Sequence, residues 1–233
     1  MSFFLILKNS FRFFKEKFKE ILIISLIFFL NIYLVSTYFS FFSCGRGNQC
    51  FQGLGLIFWP LLIGVYLFLT NILGELLILN IVKHPSFSFK EIFQESIRKL
   101  FPYLLLKIIL LLILLPLWIA FLVPGLIYSI YLSMAIYCFV DQDLKIIESL
   151  KKSCQLVKGK WWKVFKIIII FNLLIIPVAA FRFLVGVFSK NFILNILFNY
   201  LALLIGYFSL IFFYHLYFLL KNQDKSQELE LTQ

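Results

Sequence analysis

Charged side chains inside long apolar runs are the residues best placed to do chemistry in this chain, because each is costly to keep in a bilayer. Glu75 lies seven residues before the end of the second apolar run, and Lys107 about seven residues into the third. At about 1.5 Å per residue, both sit roughly 10 Å below the same surface. The two can therefore meet as an ion pair facing a bundle interior. His215 and Asn80 fall in the same leaflet, which would complete a polar cluster open to the cytoplasm. The competing reading is that Lys107 snorkels to the surface while Glu75 makes one structural hydrogen bond.

A second acidic pair, in Asp141-Gln142-Asp143, stands where the fourth apolar run ends and an amphipathic stretch begins. Asp143 is placed to cap that helix, a reading that outweighs catalysis or metal binding. The two histidines, His84 and His215, lack metal-ligand spacing, and there is no C-x-x-C. No P-loop, no G-x-S-x-G elbow and no dinucleotide fingerprint occurs. The expectation is a protein that is not an enzyme and needs no metal or cofactor. Four scattered cysteines make no disulfide framework. Cys44 and Cys50 bracket one short polar loop, and two readings stay open: a disulfide in an oxidising compartment, or two free thiols.

These residues sit in a chain of 233 residues that is 62% hydrophobic and 14% charged, with mean hydropathy +0.98. Soluble domains are about 45–50% apolar and about 25% charged. Such a composition belongs in a bilayer and excludes most soluble enzyme classes. Apolar runs at 20–42, 54–82, 100–123, 125–140, 163–188 and 192–220 predict six spans. The fourth is short, and the alternatives are five spans or a re-entrant fourth segment. One six-span domain over 1–221 is expected, followed by a disordered cytoplasmic tail over 222–233.

The net charge of +11 is unevenly placed. With six spans, 18 of the 22 Lys and Arg residues fall on one side: in the N-terminal arm, after spans two and four, and in the tail. Arg46 and Lys190 lie opposite, with Arg182 near that end. The positive-inside rule puts both termini in the cytoplasm. The charge excess reads as orientation and attraction to anionic head groups, not as nucleic-acid binding.

Three basic stretches are amphipathic. Leu7, Phe11, Phe14 and Phe18 make one apolar stripe; Phe89, Phe93, Ile97 and Leu100 a second; Ile147, Leu150, Cys154, Val157 and Trp161 a third. Helices of this kind lie in the interface with their apolar side down. Ser10, Ser96 and Ser153 occupy comparable places in the three. The fold expected is all-α: a polytopic membrane bundle of six transmembrane helices plus three basic amphipathic interfacial helices. It reads as a threefold repeat of one amphipathic helix and two spans, or as the plain alternation of basic loops and hairpins that any even-spanning protein shows.

From Val123 to Phe165 the chain runs through Pro124-Gly125, the acidic Asp141 and Asp143, then Ser153, Leu156, Gly159 and Trp162. This order resembles the bacterial YciC-like proteins and the membrane domain attached to some glycerophosphoryl diester phosphodiesterases. The resemblance covers about a fifth of the chain. It implies an integral inner-membrane protein linked to envelope or phospholipid metabolism, without the phosphodiesterase activity, whose domain is missing here. On physical grounds, Pro124-Gly125 is expected to form a tight turn. Gly159 should end or bend the third amphipathic helix, and Trp161 with Trp162 should set the depth of span five.

Two functions fit these features. One is binding or transport of a lipid or small amphiphile at the Glu75, Lys107, His215 and Asn80 cluster. The other is a non-enzymatic scaffold or accessory subunit, whose basic helices hold anionic lipid, a partner protein or a second copy of the chain.

Overall fold

The structure, a computed structural model, describes the backbone of residues 2–44, 55–188 and 192–231. Side chains are described for residues 2–35, 61–181, 184, 193–224 and 226. Cys50, Arg46 and Lys190, and the side chains of Cys44 and Arg182, lie outside the described residues. Among the described residues there are nine helices and no strand: α1 (Phe3–Glu16), α2 (Phe18–Cys44), α3 (Gly55–Lys83), α4 (Phe89–Ala120), α5 (Leu122–Leu132), α6 (Ala135–Gln142), α7 (Ile146–Val157), α8 (Trp161–Phe188) and α9 (Phe192–Leu231). A helix satisfies every backbone polar group within its own segment, which apolar surroundings require. Six segments are long and apolar enough to cross a membrane. Five lie in α2, α3, α4, α8 and α9, and the other is Leu122–Gln142, built from α5 and α6 together. The chain is a multi-pass membrane protein.

Local chemistry sets the boundaries. Ser88 and Glu91 form a capping box at the start of α4: the Glu91 carboxylate accepts from the Ser88 N–H at 2.8 Å. Gly159, with φ +76°, terminates α7 as expected. Pro124 and Gly125 do not form the turn that was expected. They lie in the first turn of α5, and the chain reverses at Phe121 instead. An added Cβ on Gly125 would sit 3.1 Å from the Trp118 backbone, so glycine there lets α5 fold tightly against α4. Asp143 does not cap α7, which starts after Lys145 with the Glu148 carboxylate accepting the Lys145 N–H at 3.3 Å. It takes a left-handed conformation (φ 52°) just past α6. Beyond 221, where the polar tail was expected, α9 continues as helix to Leu231.

The second span of each hairpin lies inside. Six consecutive residues of α3, Leu76 to Ile81, are buried, so that stretch is enclosed on every side. α6 and α9 pack against α3 and against each other, while α2, α4 and α8 flank this inner group. The amphipathic segments close one end as a ring: α1 packs on α9, the first turns of α4 on α3, and α7 on α6. Each therefore docks on the inner span that precedes it around the ring. Ser10, Ser96 and Ser153 mark the three junctions, and all are fully buried. Ser96 Oγ accepts from Asn80 Nδ2 at 2.8 Å. Ser10 Oγ lies 3.4 Å from His215 Nδ1. Ser153 Oγ donates to the Tyr131 carbonyl at 2.6 Å and accepts from the Met134 N–H at 3.2 Å, spanning the break between α5 and α6. The groups the serines meet differ: Ser10 and Ser96 approach a side chain of the inner span, whereas Ser153 bonds backbone groups at the α5–α6 break.

The core sits in the lysine-rich half. Moving away from that side, the last buried side chains are Phe28 in α2, Leu110 in α4, Phe171 in α8 and Tyr207 in α9. In the far half, Gly125 alone is buried among the described residues. The first expected stripe divides, with Phe11 and Phe18 exposed and Leu7 and Phe14 packed on the bundle, while Phe89, Phe93 and Ile97 of the second are exposed; Phe4, outside the stripe, is exposed too. In α7 the predicted stripe turns largely inward against the bundle, leaving Ile147 exposed. Ser153→Ala is expected to destabilise the protein by about 1–3 kcal/mol, because it orphans a buried N–H. Ser10→Ala removes the long contact to His215 and a 2.8 Å bond to the Ile6 carbonyl of its own helix, and leaves no buried N–H without an acceptor, so it should cost less than about 1 kcal/mol. Thermal unfolding of both variants in mild detergent checks the order.

Candidate functional site

Glu75 and Lys107 do meet. Lys107 Nζ donates to Glu75 Oε2, and the Tyr103 hydroxyl donates to the same oxygen at 3.0 Å. Tyr103 is fully buried, and its ring lies 5.4 Å from Lys107 Nζ. Lys107 and Tyr103 are four residues apart on α4, so both reach α3 from one face. The ammonium is thus committed to a carboxylate and an aromatic face.

The other two residues of the expected cluster stand elsewhere. Asn80 points its amide nitrogen at Ser96, and its buried Oδ1 has no hydrogen-bond partner among the described residues. His215 hydrogen-bonds the Ile211 carbonyl at 2.9 Å and faces Ser10 and the Phe13 ring. Each serves a ring junction, so the single cluster expected from the sequence divides into three sites.

A groove of about 650 Å³ opens beside Glu75, between α2, α3 and α9. Phe29 and Tyr33 line one wall, Asn71 and Glu75 the second, and Asn199, Gly206, Tyr207 and Ser209 the third. Gly74 brings α9 this close: a Cβ there would lie 2.5 Å from the Tyr207 hydroxyl. Volumes of about 300–1,000 Å³ are typical of small-molecule sites. A second groove, of about 510 Å³, lies between α5, α8 and α9 and includes Ser129 and Asn172. The second groove reaches from the far half to Tyr137 and Phe165 in the lysine-rich half.

Asp141 anchors a network that the sequence did not reveal. Its carboxylate accepts from the Tyr217 hydroxyl at 2.7 Å, the Tyr214 hydroxyl at 3.1 Å and Lys221 Nζ. Gln142 donates to the Tyr217 oxygen at 2.8 Å. Tyr214, Tyr217 and Lys221 recur at three- and four-residue steps on α9, and that polar stripe in an apolar run was the available signal. Asp143 binds Lys83 at 2.9 Å and also Lys99, which pairs in turn with Glu95 at 2.7 Å. Burial alone would raise the Asp143 pKa, but hydrogen bonds from Lys99 and Lys83 hold it below the ordinary value. Lys152 of α7 reaches Asp224 of α9 at 3.0 Å.

Among the residues singled out for their motif, Gly159 and Ser153 are structural, and Trp162 is exposed beside Phe165. Among the described residues, no group of three His, Cys, Asp or Glu side chains is arranged to hold a metal ion. Compared with family models, with curated proteins and with solved structures, the chain has no match.

Asp141→Asn should cost about 3 kcal/mol, since removing one member of a largely buried pair strands its partner. Thermal unfolding in detergent measures it. Because the folded pKa of Asp143 is lowered, its pairs stabilise the fold above the ordinary value of 3.8 and are lost as pH falls below it. Thermal stability should therefore fall less between about pH 6 and 3 in Asp143→Asn than in the parent chain.

Proposed function

We propose that this protein binds or transports a lipid or another small amphiphile within the bilayer, at the groove walled by Glu75. The supporting observation is the carboxylate itself. A charged side chain at membrane depth is costly, and this one borders about 650 Å³ of space while Lys107 and Tyr103 hold one of its oxygens. A purely structural ion pair would need no such opening. The groove lies where the core has ended, so its open side faces the surroundings of the bundle, from which an acyl chain can enter laterally.

In this reading the lysine-rich side is cytoplasmic by the positive-inside rule, and the membrane is the bacterial inner membrane. The resemblance to the YciC-like group, carried by Pro124, Gly125, Asp141, Asp143, Ser153, Gly159 and Trp162, belongs to the same proposal and suggests a part in envelope homeostasis. Exposed Phe4, Phe11, Phe89 and Phe93 beside lysines favour contact of α1 and α4 with anionic lipid. A scaffold would use that surface alone.

Mass spectrometry of the protein purified in mild detergent tests the reading. Stoichiometric lipid or amphiphile should accompany the parent chain and drop severalfold with the Glu75→Gln, Lys107→Met double variant. That variant removes both charges together and so leaves neither stranded. Retention of the same ligand by the folded double variant, or a protein partner in place of a ligand, would overturn it in favour of the scaffold.

A further inference from the structure

The polar groups in the groove wall differ in what they have left to offer. Glu75 Oε2 is occupied by Lys107 and Tyr103, and Oε1 has no partner among the described residues. Asn71 spends one of its two amide hydrogens on the Leu67 carbonyl at 3.0 Å, which leaves the other hydrogen and Oδ1. Ser209 gives its only hydroxyl hydrogen to the Gly206 carbonyl at 2.6 Å, which leaves oxygen lone pairs. Asn71 and Glu75 are four residues apart and stand on the same face of α3. Lys107 is not among the residues that line the groove. Three wall groups, on two helices, therefore present acceptors, one of them charged. The rings of Phe29 and Tyr207 border the same space.

From this we infer that the groove selects the protonated amine of a cationic amphiphile. This inference rests on the groove reading above and names its head-group class. A primary ammonium brings three donors and no acceptor, matching what Glu75, Asn71 and Ser209 leave unused. Aromatic faces add to its binding. A phosphate or carboxylate head would meet the Glu75 charge with no cation among the described residues that line the groove. A neutral alcohol supplies one donor, and its bond to the carboxylate carries charge on the acceptor side alone, whereas an ammonium brings charge to both sides. Lys107 retains Oε2, so one carboxylate is shared between a fixed ammonium and an incoming one.

The test uses the full chain carrying Ala202→Cys in the groove wall, held in a nonionic detergent. Dodecylammonium, dodecanol and dodecyl phosphate are added at equal mole fraction, and maleimide labelling at that site is read by mass spectrometry. Dodecylammonium should protect at about tenfold lower concentration than the other two. Glu75→Gln should erase the difference and Lys107→Met should not. If Glu75→Gln fails to fold, Asn71→Leu, which leaves the Lys107 and Tyr103 bonds intact, should narrow it instead. Equal protection by all three amphiphiles keeps the groove but overturns the head-group class. Protection by none overturns the groove reading as well.

Discussion

Hydrocarbon offers no hydrogen bonds, so every polar side chain placed there needs a group on a neighbouring helix to answer it. Leucine and isoleucine discriminate weakly between neighbours in a membrane, because lipid tails are as apolar as they are. Register in this bundle therefore falls to a few polar contacts. Glu75 and Asn80 tie α3 to α4 through Lys107, Tyr103 and Ser96. Asp141 ties α6 to α9. Ser153 holds α7 across the break that makes the fourth span from two short helices. Without these, the inner helices could slide by a turn with little change in apolar contact.

The same accounting explains where the space lies. Inter-helix polar contacts concentrate in the lysine-rich half, and so does the buried core. Farther along, the polar groups of α3, α8 and α9 bond mostly within their own helices: Thr70 to Tyr66, Asn71 to Leu67, Asn172 to Ile168 and Ser209 to Gly206. Tyr66, which reaches Asn31 of α2, is a cross-helix contact in that half. Helices fastened at one end and self-satisfied at the other leave wedge-shaped gaps, and the two grooves occupy such gaps.

The six spans and the meeting of Glu75 with Lys107 were legible because both follow from counting residues along regular helices. Periodicity also exposed the three amphipathic stretches and their serines. It could not show that α1 would pack on α9, since nothing local to residues 3–16 encodes a partner two hundred positions away. Leaflet depth placed Asn80 and His215 at the right height but not at the right azimuth, so a single cluster was expected where three separate junctions exist. Asp143 resembled a helix cap by position alone, yet a left-handed backbone carries it away from α7 and toward Lys83 and Lys99. Tyr214 and Tyr217 escaped notice because tyrosine in an apolar run reads as bulk until an acidic partner is seen beside it.

The ring of docked amphipathic helices has a consequence for biogenesis. Two of the three junctions join elements close in the chain, α3 with α4 and α6 with α7, and each can close as soon as its hairpin has been inserted. The remaining junction joins α1, made first, to α9, made last. Until α9 arrives, α1 has its smaller contact with α2 to rest on, and Ser10 lacks the His215 it faces in the finished fold. Assembly is thus sealed in a single late step, with the earliest-made helix waiting as the latch for the last.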